Sequence, residues 1–220
     1  MGYGITLKVW GDRACFTRPE MKSERVSYDV MTPSAARGIL EAIFWKPPIK
    51  WRIDRITVLN PISFGAVRVN ELGSKIPGRN ITTAMKGSDI DLHQYINDDR
   101  QQRTSLYLRD VAYIIEAHFD VDASKCGKDD NEMKFYNMFI RRARNGQCYH
   151  RPYLGCREYP ALFSLIEDDR PESSHLGTTV DLGWMLYDID YENDLKPVFY
   201  RPLMENGQID VASARKEAVI

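Results

Sequence analysis

No stretch of this 220-residue chain approaches the roughly 20 consecutive apolar residues that a membrane helix needs. Met1-Gly2-Tyr3-Gly4 lacks the cationic start and apolar run of a secretory signal, so the expected compartment is the cytoplasm and no membrane is involved. Cysteine is scarce. Cys15, Cys126, Cys148 and Cys156 show no C-x-x-C spacing, and with four histidines they make no zinc pattern. Reduced, structural thiols are expected in that compartment. The phosphate-cradling P-loop, the G-x-S-x-G elbow and the dinucleotide fingerprint are all missing. The alternating Asp188, Asp190, Glu192 and Asp194 lack the glycine and closing glutamate of a calcium loop and read as a solvated strand edge. No metal and no cofactor is expected. Repeats and low-complexity tracts are also absent.

Net charge is −1, which argues against a bulk polyanion binder, but the charge is unevenly spread. Residues 1–159 carry 25 Lys+Arg against 19 Asp+Glu (+6), and residues 160–220 carry 5 against 12 (−7). This asymmetry fits a basic, nucleic-acid-facing body with an acidic tail region, and equally fits chance clustering on solvated surfaces.

Ile5, Leu7 and Val9 alternate with polar residues as in a half-buried strand. Thr32-Pro33 supplies an N-cap and a first-turn proline, and Ala35, Ala36, Ile39, Leu40 and Ile43 follow at helical spacing until Pro47-Pro48. Trp51, Ile53 and then Ile56, Val58 predict a strand with an irregularity between the pairs; Ile62 to Val69 predicts another. Residues 70–104 are polar and aperiodic and read as a long loop. From 106 to 121 the pattern is again a strand. Val111, Tyr113, Ile115, Ala117 and Phe119 share one face, with Glu116 and His118 on the other. A helix over about 131–145 ends in Arg141-Arg142-Ala143-Arg144 before Gly146. Strand-like pieces follow at 153–156, 182–189 and 197–205, with Asn206-Gly207 as a hairpin turn. The order strand, helix, strand, strand, helix, strand predicts an α+β chain. Its ferredoxin-like (RRM-like) N-terminal domain spans 1–155, and a smaller C-terminal antiparallel β region spans 156–220.

His118 is the leading chemical candidate, because an imidazole exchanges protons near neutral pH. The loop cations Arg13, Arg18, Lys22 and Arg25, with Arg103, Arg141 and Arg142, suit phosphates. Their bland alternatives are a solvated loop with Glu20 and Glu24 as counterions, and cations favoured at a helix C-terminus. In Phe44-Trp45-Lys46 the aromatics can stack bases and the lysine can hold a phosphate. Trp45 equally reads as core.

Arg18-Pro19-Glu20-Met21-Lys22-Ser23-Glu24-Arg25-Val26-Ser27-Tyr28, Thr32 to Ile43, Trp45-Lys46-Pro47, Arg100-Gln101-Gln102-Arg103, Glu116-Ala117-His118-Phe119, Leu154-Gly155-Cys156-Arg157-Glu158 and Leu186-Tyr187-Asp188-Ile189-Asp190 together resemble the subtype I-C CRISPR-associated RAMP endoribonucleases, the "d" form of the fifth Cas protein. The matches span residues 5 to about 207 in order. The resemblance implies cutting of the CRISPR repeat transcript at the base of its hairpin. It also implies retention of the 5′ handle of the CRISPR RNA (crRNA), as a subunit of the Cascade effector beside its backbone and large subunits. The family's catalytic tyrosine, lysine and histidine map here onto Phe44, onto no lysine beside Glu116-Ala117, and onto His118. Lys46 is the nearby cation that could substitute. Two readings follow: a metal-independent ribonuclease, or a non-catalytic handle-binding subunit.

Overall fold

The computed structural model describes residues 4–21, 23–191 and 193–214; Lys22 and Glu192 lie outside them. Strand β1 (Ile5–Ala14) buries Ile5, Leu7 and Val9 on one face, as its alternation requires. Helix α1 (Pro33–Ile43) starts where the Thr32 hydroxyl accepts from the Ala35 amide at 3.3 Å. It buries Ala36, Ile39, Leu40 and Ile43. Its C-terminal carbonyls are not left to solvent. Arg142 Nη1 donates to the Ile43 carbonyl at 2.8 Å, and the Tyr149 and His150 amides donate to the Ala42 carbonyl at 2.8 and 3.3 Å.

Strand β2 (Ile49–Val58) shifts register between Ile53 and Arg55, the irregularity the sequence predicts, leaving Asp54 as the extra residue. Strand β3 (Phe64–Leu72), helix α2 (Gly78–Met85) and the 22-residue strand β4 (Arg100–Val121) follow. Helix α3 (Glu132–Arg144) is capped by Asn131. Then come β5 (Leu162–Leu165), β6 (Thr179–Asp181), β7 (Met185–Asp190), β8 (Lys196–Tyr200), β9 (Leu203–Glu205), β10 (Gln208–Asp210) and the short α4 (Val211–Ala214).

The central four strands run β5-β1-β4-β2, each antiparallel to its neighbour, with α1 and α3 over one face. With the order β1-α1-β2-β4-α3-β5, this is the ferredoxin-like arrangement expected. The later chain extends the same sheet beyond β2 through β10, β9 and β6, while β7 and β8 form a separate hairpin against α1.

The stretch 70–104 differs from the predicted long loop. β3 runs on to Leu72, α2 occupies 78–85, and β4 begins at Arg100, so a two-stranded arm projects from the sheet. β3 contributes no buried side chain and α2 buries none either, so the hydrophobic periodicity that reveals elements is missing there. The arm is held by its main-chain ladder and by cross-strand pairs such as Arg103 with Glu71 at 3.3 Å. Asp110, at φ 48, marks where β4 passes from the arm into the central sheet. The predicted strand at 153–156 is instead a turn pinned by a single bridge between Tyr153 and Pro160. The predicted strand 197–205 is split into β8 and β9 at Arg201-Pro202.

Asn206 and Gly207 turn between β9 and β10 at φ 52 and 78. A Cβ on Gly207 would sit 2.0 Å from Ser173 Oγ. Gly207→Ala is therefore expected to lower the melting temperature. By contrast Gly38→Ala, within α1 where nothing lies within 4 Å of the new Cβ, is expected to stabilise by about 0.5–1 kcal/mol. Thermal denaturation of the two variants checks both signs.

Candidate active site

His118 projects from β4 onto the face away from α1 and α3, because its neighbours Ala117 and Phe119 point into the core. Arg52 is its cross-strand partner in β2. The irregularity in β2 brings Asp54 alongside, and His118 Nδ1 lies 2.9 Å from the Asp54 carboxylate. A carboxylate only accepts, so Nδ1 carries the proton in this contact, and in the neutral imidazole the lone pair is on Nε2. The sequence alone gave no pointer to Asp54 as this partner. Its one signal was the break in alternation between Ile53 and Ile56.

His118, Asp54 and Arg52 line an open cleft of about 630 Å³, with Ser34 and Arg37 of α1 and Asp188 of β7. Arg52 Nε donates to Asp120 at 2.8 Å. Arg37 forms a forked pair with Asp188 and reaches Glu41 at 3.6 Å. Burial raises the Glu41 carboxyl above the ordinary range, and Arg37 opposes that rise. Further along the same face, Glu116 accepts from Arg170 at 2.6 Å and pairs with Arg55 at 3.7 Å. The position upstream of His118 thus supplies no lysine, but arginines from β2 and from residue 170 crowd around it.

Phe44 and Lys46 are not brought to this cleft. Phe44 is 2% exposed, packs its ring against Phe135, carries the Arg142 guanidinium 5.1 Å over its face, and accepts at its carbonyl from Trp51 Nε1 at 3.1 Å. Lys46 pairs with Asp130 at 3.4 Å, on the α1 and α3 side. Trp45, in contrast, is 53% exposed rather than core. Most of the other expected phosphate-binding cations already have partners. Arg13 lies over the Tyr107 ring, Arg18 over Tyr28 with Asp29 at 3.5 Å, Arg25 on Glu158 at 2.9 Å, and Arg103 on Glu71. Arg142 serves as the cap of α1, while Arg141 is exposed. None of these lines the His118 cleft.

The fold agrees with comparisons to known proteins. The family model of CRISPR-associated protein Cas5, in its Cas5d form, matches residues 4–212. The chain belongs to the Cas5d family. It is 54% identical to the CRISPR pre-crRNA endoribonuclease Cas5d of Mannheimia succiniciproducens, over 100% of this chain and 99% of that protein. It is 43% identical to the protein of the same name from Thermus thermophilus, over 86% and 75%. Among solved structures, one described as a CRISPR-associated protein is 26% identical with a TM-score of 0.69, covering 95% of this chain and 91% of that one. The functionally uncharacterized SMU1763c of Streptococcus mutans is 27% identical with a TM-score of 0.67, covering 94% and 91%.

One further cluster in this Cas5d chain escaped sequence reasoning, because its members lie 141 residues apart. The Cys156 thiol donates to the Cys15 carbonyl at 3.4 Å beside the Cys15 thiol, and Thr17 Oγ1 touches both sulfurs, at 3.5 and 3.6 Å. The Cys15 thiol, Thr17 and the Arg25 charge hold Cys156 well below an ordinary thiol, against the opposing effect of burial. The shared proton and burial push Cys15 up. Cys156 is therefore expected to alkylate with a midpoint below pH 8. Cys15→Ser is expected to move that midpoint upward. Mass-resolved iodoacetamide labelling across pH reads both.

Proposed function

We propose that this chain is a pre-crRNA endoribonuclease. It cleaves the CRISPR repeat transcript at the base of its hairpin and retains the 5′ handle as a subunit of the Cascade effector, beside the backbone and large subunits. The observation that carries the chemistry is the His118–Asp54 pair at the edge of an open cleft. With Nδ1–H held by Asp54, His118 Nε2 is oriented to take the proton of a ribose 2′-OH. The 2′ oxygen attacks the adjacent phosphorus, and the bond to the 5′ oxygen of the next nucleotide breaks. The departing 5′ oxygen takes up the proton that His118 received from the 2′-OH, so a 2′,3′-cyclic phosphate and a 5′-OH result and the imidazole returns to its starting state. Asp54 offsets the imidazolium charge that His118 acquires, and Arg52 stands across the strand where the phosphorane gains negative charge. All of this runs on groups the chain itself supplies.

The second reading is a handle-binding subunit that leaves cutting to another nuclease. The observation favouring it is that Phe44 has no hydroxyl and is buried, and Lys46 is engaged on the other side of the sheet.

Incubating the protein with hairpin repeat RNA in excess EDTA separates the two. The expected result is a single cut ending in a cyclic phosphate, blocked by one 2′-deoxy substitution at the scissile nucleotide. His118→Ala is expected to slow cutting by about 10²–10⁴-fold while RNA binding stays close to that of the unaltered protein. Asp54→Asn is expected to slow it less, because Nε2 survives but its orientation and counter-charge do not. Tight binding by the unaltered protein without any cut would select the second reading.

A further inference from the structure

Most arginines of the loops described above are already paired. Arg151 and Arg157 are not: both are exposed, and neither has a hydrogen-bond or ion-pair partner among the described residues. They share a recess of about 440 Å³ with His150, Tyr153, Pro152 and Pro160, and no carboxylate lines it. Its frame is rigid. The Ala161 amide donates to the Pro152 carbonyl at 2.9 Å and the Leu154 amide to the Tyr159 carbonyl at 2.7 Å, with Leu154 fully buried beneath. On the side toward α1, the amides of Tyr149 and His150 anchor the segment to the last turn of that helix.

The recess shares walls, through one intermediate depression, with the His118 cleft. Tyr153 lines a second depression with Thr17, Gly38 and Glu41, and that depression meets the His118 cleft at Ser34, Arg37, Asp188 and Ile189. The three depressions succeed one another near α1, whose 11 residues span about 16 Å at about 1.5 Å each, with the Arg37–Asp188 pair at the boundary of the last two.

From this we infer that the recess of His150, Arg151, Tyr153 and Arg157 is a nucleotide subsite for the single-stranded part of the RNA, upstream or downstream of the cut. Two guanidinium groups hold backbone phosphates, which they match in charge and fork geometry. A base stacks on the Tyr153 ring beside the imidazole of His150. The two prolines keep the walls in place before the strand arrives, so little ordering cost falls on binding. This subsite rests on the RNA-processing reading and adds to it a binding determinant distant from the chemistry.

The test uses the full chain, with Arg151→Ala/Arg157→Ala and Tyr153→Leu as variants. Fluorescence anisotropy with labelled repeat RNA is followed over a salt series, and single-turnover cleavage is measured at saturating RNA. Because the side chains are exposed and unpaired, thermal melts of the arginine variant are expected to match the unaltered protein. The expected result is an affinity loss of about tenfold or more in the arginine variant. Its log–log salt slope is expected to shrink by about 1.4, at about 0.7 per lost phosphate contact on a single strand. Tyr153→Leu is expected to weaken binding with the slope unchanged. Saturated cleavage rates stay equal in all three. Variants that bind with unaltered affinity and slope, while the unaltered protein binds and cuts, would overturn the subsite and leave the processing reading standing. An unaltered protein that neither binds nor cuts the RNA would overturn both.

Discussion

The rest of the structure depends on β4. Its main chain pairs with β1 and β2 along the C-terminal half and with β3 along the N-terminal half, so one strand holds both the sheet and the arm. Period-2 alternation along that strand then assigns every side chain to a face. Tyr113, Ile115, Ala117 and Phe119 are committed to the core under α1 and α3, and Glu116 and His118 are committed to the opposite side. A slip of one residue would bury the imidazole and expose the core, so the location of the chemistry and the stability of the fold are one constraint.

The second organising feature is the end of α1. A helix terminating inside a protein leaves carbonyls that must be paired. Here Arg142 and the amides of Tyr149 and His150 do this. The same arrangement draws Phe44 into the core beneath the Arg142 guanidinium and leaves Trp45 outside. A tyrosine at position 44 would have to place its hydroxyl in this packed layer, on the other side of the sheet from His118. Position 44 is thus not gathered around His118, whereas Glu116 shares its face of β4.

Much of the fold was legible. Thr32-Pro33 marks the start of α1, Pro47-Pro48 its end, Asn206-Gly207 a hairpin, and the two faces of 111–119 a central strand. These signals are local: caps, fixed φ angles and side-chain period act within a few residues. Of the arm, β3 was legible from Ile62 to Val69, but residues 70–104 were not, because α2 and the outer ends of β3 and β4 bury no side chain and carry no hydrophobic alternation. The cation-rich loop was legible as charge, but the partners of its cations were not. Charge shows in composition, whereas the carboxylate or ring that occupies it, Glu158 for Arg25 or Tyr107 for Arg13, comes from far along the chain.

The amino-acid sequence by itself determined the class of fold, the family and the face on which His118 lies, because each follows from short-range periodicity or from ordered motifs. Only the tertiary structure decided which groups surround that histidine. Asp54 reaches it through a register shift in a neighbouring strand. Arg37 and Asp188 meet across 151 residues of chain. Phe44 and Lys46 are turned away by the packing of α1 on α3. Pairings of this kind are set by how the sheet closes and how helices seat on it, and no window of sequence contains both partners.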